Sequence, residues 1–460
     1  MSRYCIIILL TVCANLGQAD LINSLPGSPT VKFKQYAGFL TVGDNKEDNL
    51  YYMFVESQNN PVTDPIVLWL SGGPGCSSLS TLLSALGPLL VNDDGTGLYW
   101  NDYGWNLNAS VIALESPAGV GFSYSTSGNL TTGDNKTAVE NWEAIREFFK
   151  VFPQYANNDF YVAGASYGGV YVPTLVQTIM DRQGQYKINL KGFLIGNGAV
   201  SQQENTNTKM QFMYNHGMVD ESTWQQAKSQ CCNNDIDDCN WHAIDKSNTF
   251  CYDFVDDVLD IIWSGGMDPY DMYYSCVNTS INASAPDSVT RQKIERHKRY
   301  SREVNPAIFG GLPCVDSDGI TTYLNRADVR KALFIPTSLP AWSTCNDDIN
   351  YRLYTQEVFE TAPLILSALQ SGLRGILYHG DIDMVCNVLL GSRFAYKLGL
   401  PVTKKAKEYF ISGQVGGFHT QYGNDFHFVT ARGGSHSVPA NKPDIGIYIL
   451  NTFLFNNNWS

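Results

Sequence analysis

The pentapeptide Gly164-Ala165-Ser166-Tyr167-Gly168 follows the apolar run Phe160-Tyr161-Val162-Ala163 and precedes a helix-like stretch. At a strand-to-helix junction the pattern Gly-x-Ser-x-Gly describes a nucleophile elbow. The turn is sharp enough to crowd its neighbours, so glycines two before and two after the serine relieve the backbone clash. The Ser166 hydroxyl is then held clear of the sheet edge. The helix N-terminus beneath it favours developing negative charge.

A serine nucleophile needs a base, and the base needs an orienting acid. Downstream, Gly375-Ile376-Leu377-Tyr378-His379-Gly380-Asp381-Ile382-Asp383 reads as a buried strand running into a loop that carries carboxylates. Further on, Gly433-Gly434-Ser435-His436-Ser437 places a histidine on a glycine-rich loop. The order Ser…Asp…His is that of α/β-hydrolases and differs from the orders on other serine-hydrolase folds. Upstream, the strand Ile66–Leu70 ends in Ser71-Gly72-Gly73-Pro74-Gly75-Cys76, a turn able to present a backbone N–H to an oxyanion. The second donor would be the N–H of Tyr167, and the serine hydroxyl is expected within hydrogen-bond reach of His436.

The remaining organisation suits such an enzyme. Short apolar runs at Ile66–Leu70, Val111–Leu114, Phe160–Ala163 and Gly192–Ile195 have the character of buried parallel strands. Val139, Trp142, Ile145, Phe148, Phe149 and Phe152 recur at spacings of three and four, which predicts a helix ending before Pro153, with its aromatic stripe as core filling. Residues 200–325 lose this rhythm and separate a first core part (20–199) from a second (326–460), which closes in a helix around Ile445–Phe455. Residues 1–19 have the charged, apolar and small-residue parts of a secretory signal, so the mature chain is expected to begin at Asp20. Acceptor sequons at Asn108, Asn129, Asn135, Asn278 and Asn282 agree with that route. A net charge of −13 argues against nucleic acid or an anionic membrane as partner. Of eleven cysteines, Cys5 and Cys13 fall in the signal, and the other nine suggest four bridges and one thiol. Cysteine spacing offers no paired C-x-x-C for a metal, and no cofactor is implied.

The chain resembles the serine carboxypeptidase family, most closely its lysosomal, cathepsin A-like members. The resemblance runs through Trp69-Leu70-Ser71-Gly72-Gly73-Pro74-Gly75-Cys76-Ser77-Ser78-Leu79 and Leu114-Glu115-Ser116-Pro117-Ala118-Gly119-Val120-Gly121-Phe122-Ser123-Tyr124. It continues in the elbow, in Ile195-Gly196-Asn197-Gly198, in Gly380-Asp381-Ile382-Asp383-Met384-Val385-Cys386-Asn387, and in His436-Ser437-Val438-Pro439. It implies an α/β-hydrolase fold with a mostly parallel sheet and a helical cap formed by 200–325. Carried across, Ser166 is the nucleophile, Asp383 the acid and His436 the base, with the N–H groups of Gly73 and Tyr167 as oxyanion hole. The implied bridges are Cys76–Cys345, Cys231–Cys251, Cys232–Cys239 and Cys276–Cys314, with Cys386 free. The basic stretch 291–302 would be a cleavable segment, the location lysosomal or extracellular, and a homodimer or a glycosidase partner conceivable. The family's substrates are peptides, or esters in its acyl-transferring members.

The chain also departs from that family. Recognition of a free terminal carboxylate uses an asparagine opening the glycine turn, a glutamate two residues before a Gly-Pro, and a glutamate before the nucleophile. Ser71, Ala85 and Ala165 occupy those positions here. Losing a donor to a charged group costs about 1.5–3 kcal/mol, so two losses weaken carboxylate recognition by roughly two to four orders of magnitude. The expected activities are therefore a carboxypeptidase with altered carboxylate recognition, an esterase, amidase or acyltransferase on the same triad, or a non-catalytic protective scaffold.

Overall fold

The computed structural model describes residues 20–237, 239–264, 267–274 and 318–459. Residues 1–19, expected to be a signal segment, Cys276 and Cys314, Asn278 and Asn282, and the basic stretch 291–302 lie outside the described residues. Eleven strands make the path of the main sheet. They are β1 (Asp20–Leu21), β2 (Gln35–Val42), β3 (Asp48–Val55), β4 (Ile66–Leu70), β5 (Ser110–Leu114) and β6 (Phe160–Ser166). Then come β7 (Leu190–Gly198), β8 (Arg374–Gly380), β9 (Val402–Ile411), β10 (Gln414–Tyr422) and β11 (Phe426–Ala431). Their spatial order is β1-β2-β3-β5-β4-β6-β7-β8-β11-β10-β9.

The six central strands, β5-β4-β6-β7-β8-β11, pair in parallel. The four apolar runs identified in the sequence are among them, buried on both faces as parallel strands must be. Both margins are antiparallel. The β9–β10 hairpin is absent from the sequence reading, for a physical reason. As an edge strand β9 exposes Lys404, Lys405 and Lys407, so it has no apolar run to find, and those charges keep the open edge from pairing with another chain.

Helices cover the sheet. Asp134–Val151 buries Trp142, Ile145, Phe148 and Phe149 against one face, together with Gly168–Asp181, the helix that leaves the elbow. The C-terminal helix Pro443–Leu454 packs on the other face. Between β7 and β8 lie the helices Gln202–Asn215, Glu221–Cys231 and Thr249–Ser264, with Asp318–Leu324 and Ala327–Ala332 after them. The core strands resume only at Arg374. The consequence for function is simple: in such a sheet the crevice beyond the carboxyl ends of the parallel strands collects the loops.

Candidate active site

Five adjacent strands deliver one site. The Ser71–Cys76 turn leaves β4, Ser166 ends β6, Asn197 lies at the end of β7, Asp383 follows β8 and His436 follows β11. Ser166 is fully buried and sits in the left-handed region at φ +60°. A side chain in that region costs about 1–2 kcal/mol, retained here because the turn throws the hydroxyl out of the sheet. The elbow tolerates it only with glycine at 164, where a Cβ would lie 2.6 Å from the Leu70 carbonyl oxygen.

Asp383, the expected orienting acid, has well-defined contacts. Asp383 Oδ2 meets His436 Nδ1 at 2.7 Å and accepts from Asn197 Nδ2 at 2.9 Å and Cys386 N at 3.1 Å. Its Oδ1 accepts from Val385 N at 2.8 Å. Four contacts thus hold the carboxylate in one orientation. Asp381 instead accepts from Gly433 N at 2.6 Å and shapes the histidine loop, and burial pushes its carboxyl up. The expected hydrogen bond from Ser166 to His436 is not formed. Ser166 Oγ is buried with no hydrogen-bond partner among the described residues. Catalytic contacts of this kind are commonly long until substrate arrives.

The oxyanion side is built by close approach. A Cβ at Gly72 would fall 2.5 Å from Tyr167 N and 2.6 Å from Ser166 Cβ, so only glycine lets the Gly72–Gly73 turn lie against the elbow. The Cys76–Cys345 bridge closes the far end of this turn, assisted by Ser77 N to Thr344 O at 2.8 Å and Asn346 N to Gly75 O at 2.9 Å. Beside it, Glu115 is wholly buried and accepts from Ser77, from Trp342 Nε1 at 3.2 Å and from Phe122 N at 2.5 Å. Burial pushes its carboxyl up to about 7 in spite of those donors.

The three positions of the degenerate carboxylate site are occupied as follows. Ser71 Oγ accepts from Trp69 Nε1 at 3.1 Å and pairs with Thr81 Oγ1 at 2.8 Å. Ala85 is buried in the apolar core, and Ala165 is partly exposed beside the nucleophile.

Two supporting residues escaped the sequence reading. Asn197, left-handed at φ +38°, ties β7 to the acid loop by donating to Asp383 and accepting from Gly380 N at 2.9 Å. A non-glycine residue able to adopt that conformation between two glycines was the available signal. Tyr270 had none: its carbonyl accepts from His436 N at 2.8 Å and its ring packs 4.9 Å from the imidazole, although 166 residues separate them in sequence. His379, fully buried, is pushed down to about 4 by burial and contacts the Cys386 carbonyl through Nδ1 at 3.2 Å.

Cys231–Cys251 and Cys232–Cys239 are bonded, and Cys386 is a buried thiol. Bonded cysteines suit passage through the secretory pathway. Asn129 and Asn135 are exposed, and Asn108 is half-buried with its amide 3.4 Å from Asn451 Oδ1. Among the described residues no group of three metal-ligating side chains occurs, and no helix is long and apolar enough to cross a membrane.

The family model described as serine carboxypeptidase matches residues 26–456. The chain is 37% identical to serine carboxypeptidase ctsa-4.1 of Caenorhabditis elegans, over 97% of this chain and 96% of that one. It is 35% identical to the lysosomal protective protein of Mus musculus, over 95% and 93% respectively. A crystal structure of the Kex1 prohormone-processing carboxypeptidase from Saccharomyces cerevisiae superposes with a TM-score of 0.72 at 20% identity, covering 94% of each chain, and so shares the fold. With the α/β-hydrolase sheet and these matches along nearly its whole length, the chain belongs to the serine carboxypeptidase family.

Proposed function

We propose that this protein cleaves C-terminal residues from peptides through an acyl-enzyme on Ser166. The Ser166 oxygen attacks the scissile carbonyl carbon while its proton passes to Nε2 of His436, and Asp383 stabilises the imidazolium through Nδ1. The carbonyl oxygen, now negative, receives the N–H groups of Gly73 and Tyr167. Collapse breaks the C–N bond, His436 returns the proton to the leaving amine, and water repeats the sequence to free the acid. The observation that carries this reading is the 2.7 Å contact between His436 and an Asp383 carboxylate fixed by three further donors. The relative named lysosomal protective protein, together with the bridges, supports a lysosomal location.

One observation favours a second reading, an esterase or amidase on the same triad. Ser71 has its hydroxyl committed to Trp69 and Thr81, and Ala85 and Ala165 carry no donor. Hydrolysis of a blocked dipeptide acid, its amide and its ester separates the two. Preference for the acid supports the carboxypeptidase, and equal or faster turnover of amide and ester supports the alternative. Ala85→Glu combined with Ala165→Glu should then raise preference for the acid. Failure of a phosphonate to label Ser166 would refute both.

A further inference from the structure

An oxyanion hole needs two N–H groups from different segments held at a fixed spacing, here Gly73 on the turn after β4 and Tyr167 on the elbow. The first segment has no means of holding itself, because Gly72-Gly73-Pro74-Gly75 carries no polar side chain. Its position is imposed from outside. One tie comes from Gly168–Asp181, the helix that leaves the elbow: Tyr171 Oη accepts from Gly75 N at 3.3 Å. The tie acts close to the donor, since a Cβ at Gly73 would lie 2.6 Å from that same Gly75 nitrogen. Gly75 O in turn accepts from Asn346 N at 2.9 Å, so both backbone groups of Gly75 are held.

The second segment is tied through the side chain of Tyr167, whose Oη donates to Asp134 Oδ1 at 2.7 Å. Asp134 is buried and accepts three further bonds, from Tyr354 Oη at 2.8 Å, Glu357 N at 2.7 Å and Val358 N at 2.9 Å. Those four bonds leave it one position, and Tyr167 with it. Tyr167 and Tyr171 stand four residues apart, one turn of the helix, with their rings edge to face at 5.1 Å. Tyr354 closes the cluster, its ring 5.6 Å from Tyr167 and 6.1 Å from Tyr171. Burial pushes the Tyr167 and Tyr171 hydroxyls up from their ordinary value, so both keep their protons in acidic and neutral solution.

We propose that Tyr171 and Asp134 are positioning residues of the oxyanion hole. One helical turn carries both ties, Tyr171 to the Gly73 segment and Tyr167 to Asp134, and so fixes the spacing between the two N–H donors. The proposal rests on the acyl-enzyme reading above but not on the leaving group, since peptide and ester carbonyls use the same hole.

The test is Tyr171→Phe in the full-length protein, which removes one oxygen and keeps the ring. A donor displaced from the oxyanion is felt in the transition state far more than in the bound substrate. Accordingly kcat should fall roughly 3- to 30-fold with KM near that of the parent, on a blocked dipeptide acid and on its ester alike. A peptide aldehyde reads the hole directly: the Ser166 oxygen adds to the aldehyde carbon, its proton passes to His436, and the aldehyde oxygen takes the oxyanion position with nothing leaving. Its affinity, measured by protection of Ser166 from phosphonate, should weaken by the same factor. The corresponding alcohol forms no adduct, so its affinity should not change. The acid limb of the pH profile should stay in place, because His436 and Asp383 are untouched. Tyr167→Phe, which frees the elbow from Asp134, should reproduce this pattern and takes the place of Tyr171→Phe if the latter does not fold. Tyr155→Phe is the control. Its hydroxyl donates to Glu56 Oε1 at 2.5 Å ahead of the amino end of β6, at the opposite end of the strand from Ser166, and its loss should leave kcat as it was. An unchanged kcat in Tyr171→Phe overturns the proposal. So does a rise in KM with equal weakening of aldehyde and alcohol, which would make Tyr171 part of the substrate's binding wall, and so does a shifted acid limb, which would trace the loss to His436. If only the ester is turned over and its kcat falls in the expected pattern, the carboxypeptidase reading fails and this one stands. If neither substrate is turned over, the aldehyde-to-alcohol comparison alone decides.

Discussion

Glu115 makes this protein's stability depend on pH in a direction opposite to that of most acidic proteins. Its carboxyl is buried and raised from about 4.5 to about 7. The folded state therefore holds a proton that the unfolded state gives up between those values, so stability is greatest below pH 4.5 and falls until about pH 7. A shift of some 2.5 units at about 1.36 kcal/mol each corresponds to about 3 kcal/mol lost across that window. Glu115→Gln removes the titration. At pH 4.5 it should cost about 1 kcal/mol, because with the amide oxygen facing Ser77 and Trp342 the amide nitrogen cannot accept the bond now donated by Phe122 N. By pH 8 the variant should be the more stable by roughly 2 kcal/mol. Urea unfolding of both proteins from pH 4.5 to 8, bridges intact, reads the difference between the two curves. Glu140, pushed up to about 8, and Asp268, pushed up to about 6, both by burial, add background of the same sign that the difference removes. Parallel curves would mean that Glu115 is ionised in the folded protein throughout and that its three donors outweigh burial.

Further expectations follow from the site. Ser166→Gly should abolish phosphonate labelling yet raise stability by about 1 kcal/mol, since glycine adopts φ +60° without strain; an unfolding midpoint below that of the parent would contradict the strain. Asn197→Ala should lower kcat by roughly 10- to 100-fold with little change in KM, by loosening Asp383, and a change in KM alone would reject that positioning role. In denaturant without reductant a single thiol, Cys386, should alkylate, and none in the native protein; three would show that Cys276 and Cys314 are unpaired. Trypsin cleavage within 291–302 should yield fragments that separate only after reduction, because Cys76–Cys345 spans the cut, and separation without reductant would show that this bridge is open.

What the chain announced by itself is whatever depends on neighbours in sequence. The elbow declares itself by glycine spacing within five residues, although the close approach those glycines permit is to the Leu70 carbonyl of the adjacent strand, and the central strands declare themselves as apolar runs because both their faces are covered. The resemblance added the expected division of labour between Asp381 and Asp383, and in the structure Asp383 meets His436 while Asp381 meets Gly433 N. Tertiary structure alone decided the rest, because the energy of a polar group depends on what surrounds it from distant parts of the chain. Lys209 reads as one more helix-surface lysine until the Gln202–Asn215 helix buries it beside the elbow. Ser71 reads as a spare donor until Trp69 and Thr81 occupy it. Tyr270 becomes a support of His436 only when β11 and the segment after the Thr249–Ser264 helix meet. Strand β9 hides for the converse reason, since an edge exposed to water is specified by charge rather than by an apolar pattern.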